Sequence, residues 1–156
     1  MFHVPRSTNK GFTLIEILVV IAIISIISAI VLFSITQYIN KGKDSNIAGN
    51  LAVLVPAGEA FYNIGNTYDD FCDPNISAVV RNAISQMPVN PAGSCSGNDA
   101  HMCCSVNING KSWMACARLF TDTTKAYCVD SMGTEREIDQ SQCYSSTTYT
   151  SCSHVY

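Results

Sequence analysis

An unbroken apolar run from Phe12 to Ile35, FTLIEILVVIAIISIISAIVLFSI, constrains this chain more than any other feature, and Glu16 is its one charged residue. Neither glycine nor proline interrupts it. As a helix rising about 1.5 Å per residue it reaches roughly 36 Å, more than a hydrocarbon core of ~30 Å. It is apolar on every side rather than striped, as suits a helix solvated by lipid. A secretory signal peptide is the poorer reading, because its apolar core is only ~7–15 residues and a small-residue cleavage site follows it. A plain single-span anchor fits length and hydropathy equally well, but it leaves two features without a reason.

The first is Glu16. A carboxylate at the centre of a membrane helix costs about 2.5–3.5 kcal/mol, and less near the interface. Glu16 stands about one turn into the run, where it can reach toward the headgroups. Such a group is usually paired or functional. The second is the segment before the run, MFHVPRSTNKG, which is polar and carries Arg6 and Lys10 but no acid. A basic leader stays in the cytoplasm, and Gly11, directly before the run, lets a protease approach the backbone closely. Lys41 and Lys43 flank the other end, so basic residues alone do not orient the helix.

The cysteines do. All eight (Cys72, Cys95, Cys103, Cys104, Cys116, Cys128, Cys143 and Cys152) lie beyond the apolar run. An even number in a small domain points to disulfides, which persist in an oxidising compartment, so the C-terminal part faces away from the cytoplasm. A zinc site is the competing reading, but no CxxC pair occurs and His101 and His154 show no regular ligand spacing against the cysteines.

Lys10-Gly11-Phe12-Thr13-Leu14-Ile15-Glu16, leading into the apolar stretch, resembles the prepilin processing motif of type IV pilins and of type II secretion pseudopilins. The match is local but specific: basic residue, glycine, phenylalanine, then glutamate four residues on. The resemblance implies cleavage between Gly11 and Phe12 by a membrane prepilin peptidase, N-methylation of Phe12, and an assembly role for Glu16. It implies further partners too: other copies of the chain in a helical filament, an inner-membrane assembly platform with its ATPase, and membrane lipid before assembly. The physical logic is an ion pair. In a filament Glu16 would meet the new Phe12 amine of an axially shifted neighbour away from water, where an unpaired charge is strongly unfavourable, and so fix the register. There is one departure: many major pilins carry a proline partway along this helix, and here none occurs between Pro5 and Pro56.

Beyond Ile35 apolar residues recur at helical spacing (Ile39, Ile47, Leu51, Leu54, Val55, Phe61, Tyr62), which predicts a helix continuing to about Ile64 and capped by Gly65 in a left-handed conformation. Pro56 should kink it, and a break near Gly42 to Ser45 is the alternative. Asn66 to Asn75 reads as a loop, Ile76 to Met87 as a short helix, and Pro88 to Ala100 as a loop. Strands follow over Cys104–Ile108 and Ser112–Phe120, joined by a two-residue Asn109-Gly110 turn, then Lys125–Asp130 and Glu135–Ile138. The Ser- and Thr-rich tail from Asp139 reads as irregular and without an apolar face. AYCVDSMG also looks like a segment common in pilin-like proteins.

The expected fold is therefore α+β and pilin-like: a long N-terminal helix, membrane-spanning in its first half, packed on a small antiparallel sheet and stabilised by disulfides. Its parts are a leader (1–11), a membrane and assembly helix (12–35), an amphipathic continuation (36–65) and a Cys-rich extracytoplasmic domain (66–156). Eight cysteines allow 105 pairings. Cys103 and Cys104, if extended, face opposite sides and need different partners. The Asn109-Gly110 turn would set Cys103 opposite Cys116, which makes that pair the favoured bridge, and Cys143–Cys152 would close a tail loop.

Little points to catalysis. The chain has no G-x-S-x-G, P-loop or H-E-x-x-H, so no catalytic residue, cofactor or metal is assigned. His101 beside Cys103 and Cys104 could form a thiol site, but adjacent cysteines outside the cytoplasm are more often bridged. Asp69, Asp70 and Asp122 could hold calcium or simply be solvated loop acids, and Asn75-Ile76-Ser77 matches a glycosylation acceptor. A net charge of −3 without clustered Lys and Arg gives no nucleic-acid signature. Three functions stay open: a surface pilus subunit serving adhesion, motility or DNA uptake; a pseudopilin of a secretion or competence system; and a non-polymerising membrane-anchored extracellular domain.

Overall fold

The computed structural model describes residues 11–89, 101–144 and 151–153. The expected leader up to Lys10, Cys95, most of the expected loop from Pro88 to Ala100 and His154 lie outside them. Backbone contacts divide the chain into two compact units, one ending at Tyr38 and the other beginning at Ile39.

Helix α1 runs from Leu14 to Ala52 without a break at Gly42 to Ser45. Helix α2 (Leu54–Gly65) follows after Val53 alone. Pro56 explains the interruption: it has no N–H to donate to the Ala52 carbonyl one turn back, so the ladder fails there, and Pro56 falls in the first turn of α2, where that donor is dispensable. The left-handed cap is Asn66 (φ 52°), whose N–H donates to the Tyr62 carbonyl, rather than Gly65. Asparagine tolerates this conformation better than most side chains do, so the helix runs one residue further than the glycine suggests. Helix α3 (Ala78–Gln86) starts at Ser77, whose hydroxyl accepts from Val80 N–H.

Strands β1 (Cys103–Val106), β2 (Trp113–Arg118), β3 (Lys125–Asp130) and β4 (Glu135–Asp139) form an antiparallel meander in the order β1-β2-β3-β4. The first hairpin keeps the expected register, with Cys103 opposite Cys116 and Val106 opposite Trp113. Its turn differs from the two-residue form. Gly110 N–H donates to the Asn107 carbonyl and only Gly110 has a positive φ, whereas the expected turn needs that geometry at Asn109 too. Gly110 is held by the loop after α2: its carbonyl accepts from Tyr68 N–H, and a Cβ would collide with Thr67 Oγ1.

The second unit has two cores, one on each sheet face. One gathers Ile47 and Leu51 of α1, Leu54 of α2, Tyr68, Phe71 and Val80 around Trp113, Ala115 and Val129. Trp113 is fully buried and stacks obliquely on Phe71 at 4.8 Å between ring centroids. Gly58 makes room for it, since a Cβ there would lie 2.6 Å from Trp113 Nε1. Asp44 fastens α1 to the β2–β3 loop, accepting from the Phe120 N–H at 2.6 Å and the Thr121 N–H at 3.0 Å, and from the Thr121 hydroxyl.

The opposite face is built from sulfur. Cys103, Cys116 and Cys128 stand in one row across β1, β2 and β3, with Cys143 and Cys152 laid over them. The bridges are Cys72–Cys104, Cys116–Cys143 and Cys128–Cys152, and Cys103 is disulfide-bonded as well. Both favoured pairings, Cys103–Cys116 and Cys143–Cys152, are therefore overturned. The register that suggested the first is present. Side chains on one sheet face stand roughly perpendicular to it, however, so Cys116 and Cys128 reach up to the covering tail instead of sideways to each other. The tail is not wholly irregular either: Gln140–Tyr144 is a short helix, α4, that buries Cys143, a bridged cysteine acting as its apolar residue.

Candidate functional site

Two places concentrate chemistry-bearing residues, the start of α1 and the cystine face. At the first, Gly11, Phe12 and Thr13 are outside the helix and exposed, with Phe12 83% accessible. The Gly11–Phe12 bond thus lies in non-helical backbone, where a protease can bind it as an extended strand. Leu14 is the first helical residue, so Phe12 precedes the helix.

Glu16 has a local partner that sequence reasoning missed. Thr13 N–H and Thr13 Oγ1 both donate to Glu16 Oε2, at 2.8 and 2.7 Å, and Glu16 N–H reaches back to Thr13 Oγ1 at 3.4 Å. This reciprocal pair is a capping box, which satisfies donors that the first turn of any helix leaves free. Its signal was legible as T-x-x-E before an apolar run. Glu16 therefore does two things: it closes the helix start and carries a negative charge where the N-terminal end of the helix dipole favours one.

From Leu14 to Leu32 every residue of α1 is exposed, and the helix is long and apolar enough to cross a membrane. So much uncovered aliphatic surface is not tolerated in water and needs lipid or another protein.

At the second place, the sulfurs of Cys103, Cys116 and Cys143 lie within 4.8 Å of one another, a grouping that would suit a metal if they were thiolates. All three are bridged, and a disulfide sulfur lacks the negative charge that makes cysteine a ligand. Asp69, Asp70 and Asp122 do not join any such donor group among the described residues. Asp122 instead accepts from Thr124, first through the hydroxyl and then through the N–H, which holds its carboxyl below the usual range. His101 Nδ1 donates to the Met87 carbonyl at 3.0 Å, tying the start of β1 to the end of α3, and the thiol-site reading has no free thiol among the described cysteines. In the Asn75-Ile76-Ser77 acceptor pattern the serine is buried and its hydroxyl is committed to capping α3.

Sequence comparisons bear on the first place. Residues 6–32 match the model of the prokaryotic N-terminal methylation motif. The chain is 34% identical to the type IV major pilin protein PilA of Myxococcus xanthus over 62% of its own length and 51% of that protein's. It is 32% identical to fimbrial protein Q of Moraxella bovis over 67% of its length and 61% of the relative's. Against the type IV wide pilus major component PilA4 of Thermus thermophilus it is 29% identical over 68% of its length and 79% of the relative's. The aligned region thus spans less than two thirds of the first two relatives. No solved structure matches the chain.

Proposed function

We propose that this chain is a type IV pilin, a structural subunit of a type IV pilus-like filament; the match to the N-terminal methylation motif and the similarity to major pilins and a pilus component support this reading. It is made as a prepilin and inserted in the cytoplasmic membrane with its Cys-rich domain outside. It is then cut between Gly11 and Phe12 and methylated on the Phe12 amine. In this reading residues 1–11 are the leader, 12–35 the membrane and assembly helix, 36–65 its amphipathic continuation and 66–156 the exposed domain. The prepilin peptidase, an assembly platform with its ATPase, membrane lipid and further copies of the chain are its partners.

One observation carries the reading: a helix whose first turns are apolar and exposed all round, preceded by a non-helical Gly11–Phe12 bond and capped by Glu16. Lipid covers that surface before assembly and the same helices of other copies cover it afterwards. The curated relatives are named as major pilins, a fimbrial protein and a pilus component, which favours a surface filament over a pseudopilin. The test is mass spectrometry of the mature N-terminus from isolated filaments or membranes. The expected species begins at N-methylated Phe12; a chain that keeps its leader overturns the reading.

A further inference from the structure

We propose that Cys103, Cys116 and Cys143 form a thiol–disulfide exchange triad, in which a Cys103 thiolate takes Cys116 from Cys143 and so unlatches α4 from the sheet. Three observations carry this. The three sulfurs lie within 4.8 Å of one another, and all three residues are buried. Cys103 and Cys116 are directly opposite each other in the antiparallel register of β1 and β2. Directly opposed residues have Cβ atoms about 4.5–5.5 Å apart, so a small adjustment brings them within bridging range. The bond that Cys116 now makes goes instead to Cys143, on the short helix α4 laid over the sheet. Cys116 thus has two partners within reach, and the sheet itself presents the second.

The external thiol supplies the balance: it ends oxidised in a mixed disulfide, Cys143 ends reduced to a thiol, and every other sulfur keeps its oxidation state. An external thiolate attacks the bridge that holds Cys103, bonds the other sulfur of that bridge, and Cys103 leaves as a thiolate. Cys103 Sγ then attacks Cys116 Sγ. The Cys116–Cys143 bond breaks as the Cys103–Cys116 bond forms, and Cys143 departs with the electron pair and takes a proton from water. Exchange of this kind proceeds by attack of a thiolate on a disulfide sulfur, and a nucleophile already held beside its target outpaces one arriving from solution. Burial strengthens that advantage, because an external thiol does not easily reach Cys116.

The second tail anchor stays in place. Cys152 remains bridged to Cys128, and the buried Asp130 carboxylate holds that end through Oδ2 while its Oδ1 is fixed by the β3–β4 turn. Oδ2 accepts from Cys152 N–H at 2.8 Å and Ser151 Oγ at 3.1 Å, and Oδ1 from Met132 and Thr134 N–H at 3.0 Å each. Exchange therefore converts a tail latched at two cystines into one latched at a single cystine. The four-stranded sheet stays intact and gains a cross-strand bond.

The full-length protein in detergent, treated with limiting dithiothreitol, quenched by alkylation at intervals and mapped without further reduction, tests this. The expected species joins the Cys103 and Cys116 peptides and carries an alkylated Cys143, while Cys128–Cys152 persists. Loss of Cys116–Cys143 to two alkylated cysteines with no Cys103–Cys116 species overturns the proposal. In Cys103→Ser, the Cys116–Cys143 bridge should survive the same dithiol several-fold longer; an unchanged lifetime also overturns it. Should that variant fail to fold, the peptide map of the unmutated chain decides alone.

Discussion

Ile24 and Leu51 belong to the same helix and are similarly apolar, yet Ile24 is 56% exposed and Leu51 fully buried. The difference is not in the residues but in what surrounds them. Leu51 faces a sheet that the same chain supplies, with Trp113, Phe71 and Val129 in one core. Ile24 is left exposed by the described residues. Burial against the chain's own sheet stabilises the second unit. For the exposed run, free energy is gained only in lipid or against another protein surface, so that run concerns surroundings outside the fold and the buried one concerns folding.

Changing Glu16 strains this contrast most. In the filament reading its carboxylate leaves Thr13 and meets a neighbour's freed Phe12 amine away from water. Breaking one partner of a buried pair costs about 3–5 kcal/mol, repeated at every subunit. Glu16→Ala should therefore abolish filaments seen by electron microscopy while the chain still fractionates with membranes at its normal level. Normal filaments from that variant would sink the idea that this acid sets register.

The next effect belongs to folding alone. Trp113 is the chain's single tryptophan and touches both Phe71 and Tyr68 in the core. Trp113→Ala should lower the stability of the unit beginning at Ile39 by about 3–5 kcal/mol, read by circular dichroism in denaturant. Ile24→Ala, a comparable loss of aliphatic bulk in the exposed run, should leave that transition unmoved. If both variants shift it alike, the two units are not physically distinct.

These residues also show what the sequence could reveal. The apolar run was legible because lipid demands continuity, a pattern visible without a fold. The four strands and the Cys103–Cys116 register were legible because alternation and a glycine turn are local signals. The pairing of Cys116 with Cys143 was not, since it depends on where a Ser- and Thr-rich tail lands 27 residues later. Asp44, which anchors α1 to Phe120 and Thr121 across 76 and 77 residues, carried no local signal either. The Thr13–Glu16 capping box did carry one, and it was masked by the stronger reading of Glu16 as an assembly charge.

The smallest predicted effect sharpens the comparison through a polar group. Tyr68 is buried beside Trp113, and its hydroxyl donates to Glu59 Oε1 at 2.8 Å. Burial first, and then the Glu59 carboxylate, disfavour the phenolate and push this group up to about 12. The folded state therefore favours the neutral phenol. The stability that this provides is fully present below the ordinary tyrosine value of about 10 and is lost as pH rises through about 12. Tyr68→Phe should cost about 1 kcal/mol at neutral pH through the lost hydrogen bond. It should also remove the latest phenolate step from an ultraviolet titration of the folded chain. A variant that keeps that step would mean the core around Trp113 admits water, and the division between a dry folding unit and an exposed apolar helix would then be weaker than the packing implies.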